Sequence, residues 1–272
     1  MENTAIGNVW VFIEQEGGKI ADVSLELVCK GRELADQLGV KVEALLLGNC
    51  VEHCCATLFQ YGCDNVFLVE DPRLEPFTVL PFAKVIVDLI REHRPNILMF
   101  GATMKGRELA PRVASEKLGI PQISYVQEVQ ELGNGKIRAK RAIEGGYEVL
   151  EAPLPALLTV VDANQPRPQN ASRIIKYKKA KTPSEIAAAK GAPASDEEIA
   201  ALSAKGLLIQ EWNAAYCVPQ DEFNRLGKAG SPTNVKHILS VVLTAGNFQE
   251  VAPTPEAVGN LVHELIEDHT LG

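Results

Sequence analysis

The sequence VWVFIEQEGGKIADVSLELVCKGRELADQLGVKVEALLLG at residues 9–48 decides the fold. Its first run, residues 9–13, is short and fully apolar, as is typical of a strand buried on both faces of a parallel sheet. Residues 22–38 place apolar side chains at helical spacing, and Gly39 is suited to end that helix. Residues 42–47 form a second apolar run. The stretch therefore predicts a strand–helix–strand unit.

The same alternation continues as far as residue 118. The pattern predicts helices at residues 51–61, 76–93 and 106–118, and strands at residues 66–69 and 97–100. Strands that alternate with helices over short connections form a parallel sheet covered by helices on both faces. We therefore expect a doubly wound α/β fold, whose ligands bind at the carboxyl ends of the strands.

After Gly119 the helices disappear and four extended runs follow. They lie at residues 123–129, 136–143, 147–151 and 157–161, separated by glycine and proline turns. We interpret all four as an antiparallel extension of the sheet.

The chain from residue 166 to about residue 232 is rich in Ala, Lys and Pro and has little apolar periodicity. Such a segment cannot bury a core of its own, so it must wrap over another surface, and we favour the surface of a partner protein. A short helix is predicted at Ser195, where Glu198 completes a capping box, and a tail helix is predicted at residues 254–268. The predicted organisation is a nucleotide-binding-type α/β domain at residues 1–165, a basic loop and wrapping arm at 166–235, and a carboxy-terminal strand and helix at 236–272.

Charge and composition exclude several classes of function. The chain has 272 residues, with 35 acids against 27 bases and only 6% aromatic residues, which disfavours nucleic-acid binding. No apolar run approaches the roughly 20 residues that span a bilayer, so membrane insertion is not expected. The amino-terminal sequence lacks a basic leader, and we expect a cytoplasmic protein.

Four of the six cysteines, Cys50, Cys54, Cys55 and Cys63, lie close together in sequence near His53. One interpretation is a metal or iron–sulfur site, although no C-x-x-C pair is present. We favour the alternative, that these are reduced thiols serving as small core residues. No catalytic constellation is predicted, because the histidines are scattered and a G-x-S-x-G motif is absent.

The segment GATMKGRELAPRV at residues 101–113 is the most informative candidate site. It follows a predicted buried strand and opens a helix, whose free N–H groups and dipole attract phosphate. Gly101 and Gly106 would let a ligand approach the backbone. The segment matches neither a Walker loop nor a G-x-G-x-x-G fingerprint. A strand–turn–helix with two glycines is also a common packing device, so both interpretations stay open here.

This segment resembles the corresponding part of the alpha subunits of electron transfer flavoproteins. VWVFIEQEGGKIADVSLELVCKGRELADQLG (residues 9–39) and YGCDNVFLVEDPRLE (residues 61–75) are also similar to alpha subunits. Beyond residue 118 the resemblance is to beta subunits, through GIPQISYVQEV, IEGGYEVLEAPLPALLTV and NQPRP within residues 119–168, and GSPTNV at residues 230–235. The resemblance covers most of the chain except about residues 183–228, and total length is beta-like.

The resemblance implies a beta-like subunit that pairs with an alpha-type subunit carrying the principal FAD. Beta subunits hold a second nucleotide, either AMP or another FAD. The implied cofactor-binding positions are Phe12, Leu47, Gly48, Gly101, Thr103, Lys105, Gly106, Arg107, Glu108, Leu109 and Ala110. The loop departs from the beta pattern, which has several acids and a T-G-Q motif at this place, so Lys105 or Arg107 would have to contact the phosphate. In the other outcome, Arg107 pairs with a neighbouring acid and no nucleotide binds.

The basic stretch at residues 167–181 aligns with the loop through which this family recognises dehydrogenases. The implied docking residues are Ala171, Arg173, Ile174, Ile175 and Lys176. The expected function is electron relay to or from a flavin dehydrogenase, such as an acyl-CoA dehydrogenase. A solvated charged loop is the alternative for this stretch.

Two alternatives for the whole chain remain. One is a nucleotide-free structural subunit of a dehydrogenase complex. The other is an enzyme of the ATP-pyrophosphatase type, in which Glu14 and Glu16 would stand where a triphosphate has to bind.

Overall fold

The computed structural model describes residues 7–116, 119–161, 171–232 and 250–267. The chain divides into two compact units, Met1–Asn234 and Val235–Gly272. The first unit contains both the predicted α/β domain and most of the predicted arm. This division does not separate the domain from the arm, so the three-part organisation stays a prediction.

The first unit contains all the described strands. In chain order they are β1 (Val9–Ile13), β2 (Gln15–Glu16), β3 (Lys19–Ile20), β4 (Val42–Gly48), β5 (Asn65–Glu70), β6 (Ile97–Gly101), β7 (Gln122–Gly133), β8 (Lys136–Ile143), β9 (Gly146–Pro153), β10 (Ala156–Val160) and β11 (Gln210–Trp212). The helices of this unit are α1 (Asp22–Leu38), α2 (Cys55–Tyr61), α3 (Val79–His93), α4 (Met104–Ser115), α5 (Ala171–Tyr177), α6 (Pro183–Lys190), α7 (Asp196–Ala204) and α8 (Ala214–Cys217).

The main sheet confirms the predicted α/β class. Its nine strands run in the order β11-β5-β4-β1-β6-β10-β7-β8-β9. The pairs from β11 to β7 are parallel, and the pairs β7–β8 and β8–β9 are antiparallel. The strands β2 and β3 form a separate antiparallel ribbon directly after β1.

Hydrophobic layers cover both faces of the parallel strands. Alternate residues of β1 point to opposite faces, so Val9, Val11 and Ile13 pack with α1 and α2, while Trp10 and Phe12 pack with α3 and α4. Because both of its faces are buried, β1 is apolar at every position, and this is why the run at residues 9–13 predicted a buried strand correctly.

The last of the four extended runs differs from the prediction. Strand β10 is parallel rather than antiparallel, and it inserts between β6 and β7. The antiparallel extension therefore consists of β7, β8 and β9 alone. A run of apolar residues predicts a buried strand. It does not predict whether the neighbouring strands are parallel or antiparallel, because strand pairing depends on residues that are distant in sequence.

The described part of the arm, residues 171–232, lies on the chain's own sheet. Strand β11 extends the sheet by pairing with β5, and Trp212 stacks on Phe67 with ring centroids 4.9 Å apart. Tyr177 of α5 stacks on Phe59 of α2 at 4.6 Å and an interplanar angle of 9°. Our preference for a partner surface is wrong for these residues. A few large aromatic side chains bury enough area to anchor a segment that lacks apolar periodicity.

The predicted capping box is confirmed at α7, where Ser195 and Glu198 satisfy each other's backbone N–H groups. The helix predicted from residue 106 begins two residues earlier, at Met104, because Thr103 caps it. The second unit contains the predicted tail helix, α9 (Pro255–Glu267). The strand predicted after residue 236 falls outside the described residues. Among the described helices, none combines the length and the apolar character that crossing a bilayer demands.

Candidate functional site

The candidate site is a crevice at the carboxyl end of β1. The chain passes from β1 to β4 on one side and later to β6 on the other side of β1, so strand order reverses here. Ligands of doubly wound sheets bind at this kind of switch point. The crevice has a volume of about 430 Å³. Its lining comes from the segment between β1 and α1 (Glu14, Gln15, Glu16, Lys19, Ile20, Ala21, Asp22) and from the start of α4 (Thr103, Met104, Lys105).

The turn between β6 and α4 is built by a threonine cap and two glycines. The Thr103 hydroxyl accepts a hydrogen bond from the backbone N–H of Gly106 at 3.0 Å, which satisfies one free donor of the first helical turn. A side-chain carbon at Gly106 would lie 1.9 Å from the carbonyl oxygen of Gly101. Gly106 therefore brings the helix against the strand end, as the packing interpretation of the two glycines proposed.

The carboxylate of Glu14 lies at the start of α4. The Thr103 hydroxyl donates to Glu14 Oε1 at 2.8 Å, and a side-chain carbon at Gly101 would come within 2.9 Å of the same oxygen. The backbone of Glu14 is held as well, because its N–H donates to the Ser24 hydroxyl at 2.8 Å and its carbonyl accepts from Ala21 N–H at 2.9 Å. Only 7% of Glu14 is exposed.

The surroundings of Glu14 act on its charge in opposite directions. Burial raises the pKa of the Glu14 carboxyl above its usual value, and this is the largest effect. The hydrogen bond from Thr103 and the positive charge of Lys105 lower that pKa. The sequence identified Glu14 only as an acid in the wrong place for a triphosphate. An acidic residue directly after a buried strand is the signal that could have identified this position.

The structure brings part of the predicted cofactor-binding set together. Gly101, Thr103, Lys105 and Gly106 lie around the crevice or Glu14. Lys105 also reaches the Gln15 carbonyl at 3.5 Å and the Glu16 carboxylate at 3.9 Å.

The other predicted positions lie elsewhere. The side chains of Phe12, Leu47, Leu109 and Ala110 are buried in the core below the sheet edge. Gly48 is covered by Gln15 and Val51, since a side-chain carbon there would approach their side chains within 2.7 and 2.9 Å.

The two charged residues after Gly106 are also outside the crevice lining. Arg107 contacts the Tyr125 hydroxyl at 3.4 Å and the Thr103 carbonyl at 3.3 Å, and Glu108 is exposed. Arg107 therefore contacts two uncharged oxygen atoms. The alternative in which it pairs with a neighbouring acid is not what the structure shows.

The described part of the predicted docking stretch begins with the helix α5, which contains the five implied docking residues. Arg173 is turned toward the domain, where it donates to the Cys63 carbonyl at 3.0 Å and lies 3.5 Å from Asp64. Ile174 is half-buried, whereas Ile175 is 71% exposed. Lys176 is exposed beside the ring of Tyr177. Ala171 is exposed at the start of the helix, and Arg167 lies outside the described residues.

The cysteines occur as thiols, and only Cys50 is exposed. Cys54 Sγ lies 3.7 Å from His53 Nε2, and both atoms contact the Gly18 carbonyl. Within the described ranges, no three His, Cys, Asp or Glu side chains are grouped so that they could hold a metal ion. Burial raises the pKa of the Cys217 thiol to about 12 and also raises the pKa of Cys55.

This arrangement predicts one fast-reacting thiol in the native chain. Brief treatment with iodoacetamide should alkylate Cys50 and spare the five buried cysteines, because a buried thiol forms little thiolate. Peptide mass spectrometry of this chain measures the modified fraction at each cysteine. Full denaturation should make all six reactive, and a native chain that loses two or more thiols at the rate of Cys50 would contradict this burial pattern.

The fold and the crevice together define a doubly wound α/β protein of the nucleotide-binding type. Residues 9–201 match the family described as electron transfer flavoprotein domain. The chain belongs to the electron transfer flavoprotein family, as the resemblance predicted.

Several curated relatives are similar to parts of this chain. Protein FixB of Clostridium saccharobutylicum is 40% identical over 165 residues, which are 60% of this chain and 46% of the relative. Electron transfer flavoprotein subunit alpha of Thermoanaerobacterium thermosaccharolyticum is 42% identical over 108 residues, 40% of this chain and 33% of the relative. Acryloyl-CoA reductase electron transfer subunit beta of Anaerotignum propionicum is 41% identical over 108 residues, 40% of this chain and 29% of the relative. The chain thus spans less than half the length of each of these relatives.

Proposed function

We propose that this chain is a beta-like electron transfer flavoprotein subunit that pairs with an FAD-carrying alpha-type subunit. It would relay electrons to or from a flavin dehydrogenase, such as an acyl-CoA dehydrogenase. The observation that carries this proposal is the family match across residues 9–201. A relative named as an electron transfer subunit of acryloyl-CoA reductase supports the choice of an acyl-CoA ester as the ultimate substrate.

A flavin suits such a relay because it accepts two electrons together and returns them singly. The residues of this chain's crevice do not fit the phosphate of a flavin nucleotide, since a buried carboxylate stands at the start of α4. The proposal therefore puts the principal FAD on the partner. The resemblance alone would put AMP or a second FAD on this chain, and the carboxylate at the start of α4 argues against it.

The type of subunit is the finer part of the proposal. The relative from Thermoanaerobacterium thermosaccharolyticum is named an alpha subunit, and the relative from Clostridium saccharobutylicum is named protein FixB. The beta-like motifs lie after residue 118, within residues 119–160, at residues 164–168 and at residues 230–235. We propose the beta-like role because these motifs, which lie after residue 118, are similar to those of beta subunits. A cytoplasmic location is part of the same proposal.

The helix α5 supports a docking role for the basic stretch. Tyr177 fixes the helix by stacking on Phe59, and Ile175 then projects outward with 71% of its surface exposed. Three exposed lysines, Lys176, Lys178 and Lys179, follow Ile175 closely in sequence. In a transient interface, an apolar side chain that becomes buried on binding supplies affinity, and charges near it raise the rate of encounter.

The flavin content of the native complex tests the proposal. The chain expressed alone should be colourless, whereas the complex with its native partner should contain at least one FAD for each pair of chains. Absorption spectroscopy gives the flavin count, and chromatography of the denatured complex identifies every nucleotide. A stable complex without flavin would favour the structural-subunit alternative, and an isolated monomer that never associates with a flavoprotein would refute the proposal.

A further inference from the structure

The strongest unexplained feature of the crevice is a buried acid where a nucleotide-binding protein places a phosphate. We propose that Glu14 is a built-in anion that fills the phosphate position at the start of α4 and thereby excludes nucleotide phosphates from the crevice. The residue decides which ligands the switch point admits. This inference concerns the crevice of this chain alone and does not depend on the proposed electron transfer.

The start of α4 is already occupied by the carboxylate of Glu14. The first turn of a helix presents N–H groups and the positive end of its dipole, which together attract an anion. At α4 that place is taken, because Thr103 donates to Glu14 Oε1 at 2.8 Å while it caps Gly106 N–H. The same oxygen would lie 2.9 Å from a side-chain carbon at Gly101 and 3.5 Å from one at Gly106. The carboxylate oxygen thus fills the space that the two glycines leave open.

Neighbouring residues hold Glu14 in this position. Hydrogen bonds with Ser24 and Ala21 hold its backbone, and the Thr103 hydroxyl holds its carboxylate at the start of α4. Lys105 supplies the nearest positive charge, and it acts on Glu14 while also approaching Glu16. An incoming phosphate would meet a fixed negative group at close range and would have to compete for the same hydroxyl and the same cation.

Photolabelling with 8-azido-AMP tests this inference. The full chain, purified with any subunit that accompanies it, is irradiated with the probe, and labelled chains are separated by gel electrophoresis. We expect little label on this chain in the wild type. We expect at least a tenfold rise in Glu14→Ala, which vacates the position, and a smaller rise in Glu14→Gln, which removes the charge but keeps the volume. Unlabelled AMP in excess should suppress the new label.

Glu144→Gln is the matched control. Glu144 is an exposed glutamate in the turn between β8 and β9, and it is not part of the crevice lining. Removing its charge leaves both the phosphate position and Lys105 unchanged, so labelling should stay at the wild-type level. Circular dichroism and melting temperature establish that each variant is folded.

Three outcomes would overturn the inference. The first is strong, AMP-protected labelling of this chain in the wild type. The second is an equal rise in Glu144→Gln, which would indicate a general charge effect. The third is the absence of any rise in a folded Glu14→Ala or Glu14→Gln variant. Label on an accompanying subunit is a separate signal, because the two chains are resolved on the gel.

Discussion

Gly106→Ala is expected to destabilise the first unit by about 3 kcal/mol, at the upper end of the usual cost of overpacking. The added carbon would lie 1.9 Å from the Gly101 carbonyl oxygen and 3.0 Å from its carbonyl carbon. Both are backbone atoms, so no flexible side chain can move aside. Either α4 moves away from β6 or the end of β6 distorts, and the N-terminal turn at Thr103 shifts with it.

Thermal and denaturant unfolding measure this effect, and a loss of about 3 kcal/mol corresponds to a fall in melting temperature of roughly 6 to 12 °C for a chain of this size. Gly259→Ala is the matched control. It is also a helical glycine, but outside its own helix no atom of the described residues lies within 4 Å of the added carbon. Alanine is favoured over glycine within helices, so this control should not lower stability. A Gly106→Ala chain as stable as the control would show that α4 does not pack against the strand end in this way.

Ile175→Asp is expected to slow electron exchange with the dehydrogenase at least tenfold while the flavin spectrum of the complex stays unchanged. An exposed apolar residue at the centre of a small docking surface commonly contributes about 2 kcal/mol or more, and every 1.4 kcal/mol is a factor of ten. Ile175 is 71% exposed, so its replacement removes no core contact. The effect should therefore fall on the encounter complex rather than on folding.

Stopped-flow reduction of the complex by its dehydrogenase measures this rate. Ala188→Asp is the control, because it adds the same charge to an exposed position of the next helix, α6. Its transfer rate should remain near that of the wild type. Ile174→Asp should differ from both, since Ile174 is half-buried and its replacement should lower stability as well. If Ile175→Asp exchanges electrons at the wild-type rate, α5 has no part in docking.

The sequence-based predictions were accurate where the determining contacts are local. The helix predicted at residues 22–38 has these bounds in the structure, and Gly39 ends it in the left-handed conformation. The capping box at Ser195 is formed as expected. Helical periodicity, caps and stop residues all act within a few positions of the residues that they organise, so a single sequence contains them.

The predictions failed where distant segments had to meet. The arm contains too few apolar residues to show periodicity, but Tyr177 and Trp212 each find an aromatic partner more than 100 residues away. Strand β10 is apolar in either orientation, and its parallel position between β6 and β7 depends on strands that no local pattern connects to it. The same limit applies to the candidate site, because Phe12 and Leu47 end strands at the correct edge but turn their side chains into the core.

The sequence by itself determined the alternation of β1, β4, β5 and β6 with the helices α1 to α4, the burial of β1 and the glycine turn that opens α4. Only the tertiary structure decided that the described part of the arm covers its own sheet and that Glu14 reaches the start of α4, 89 residues away from Thr103 in sequence. The physical reason is that hydrophobic periodicity and capping are properties of neighbouring residues. The contact between an acid and a helix terminus exists only after the sheet has brought the ends of β1 and β6 together.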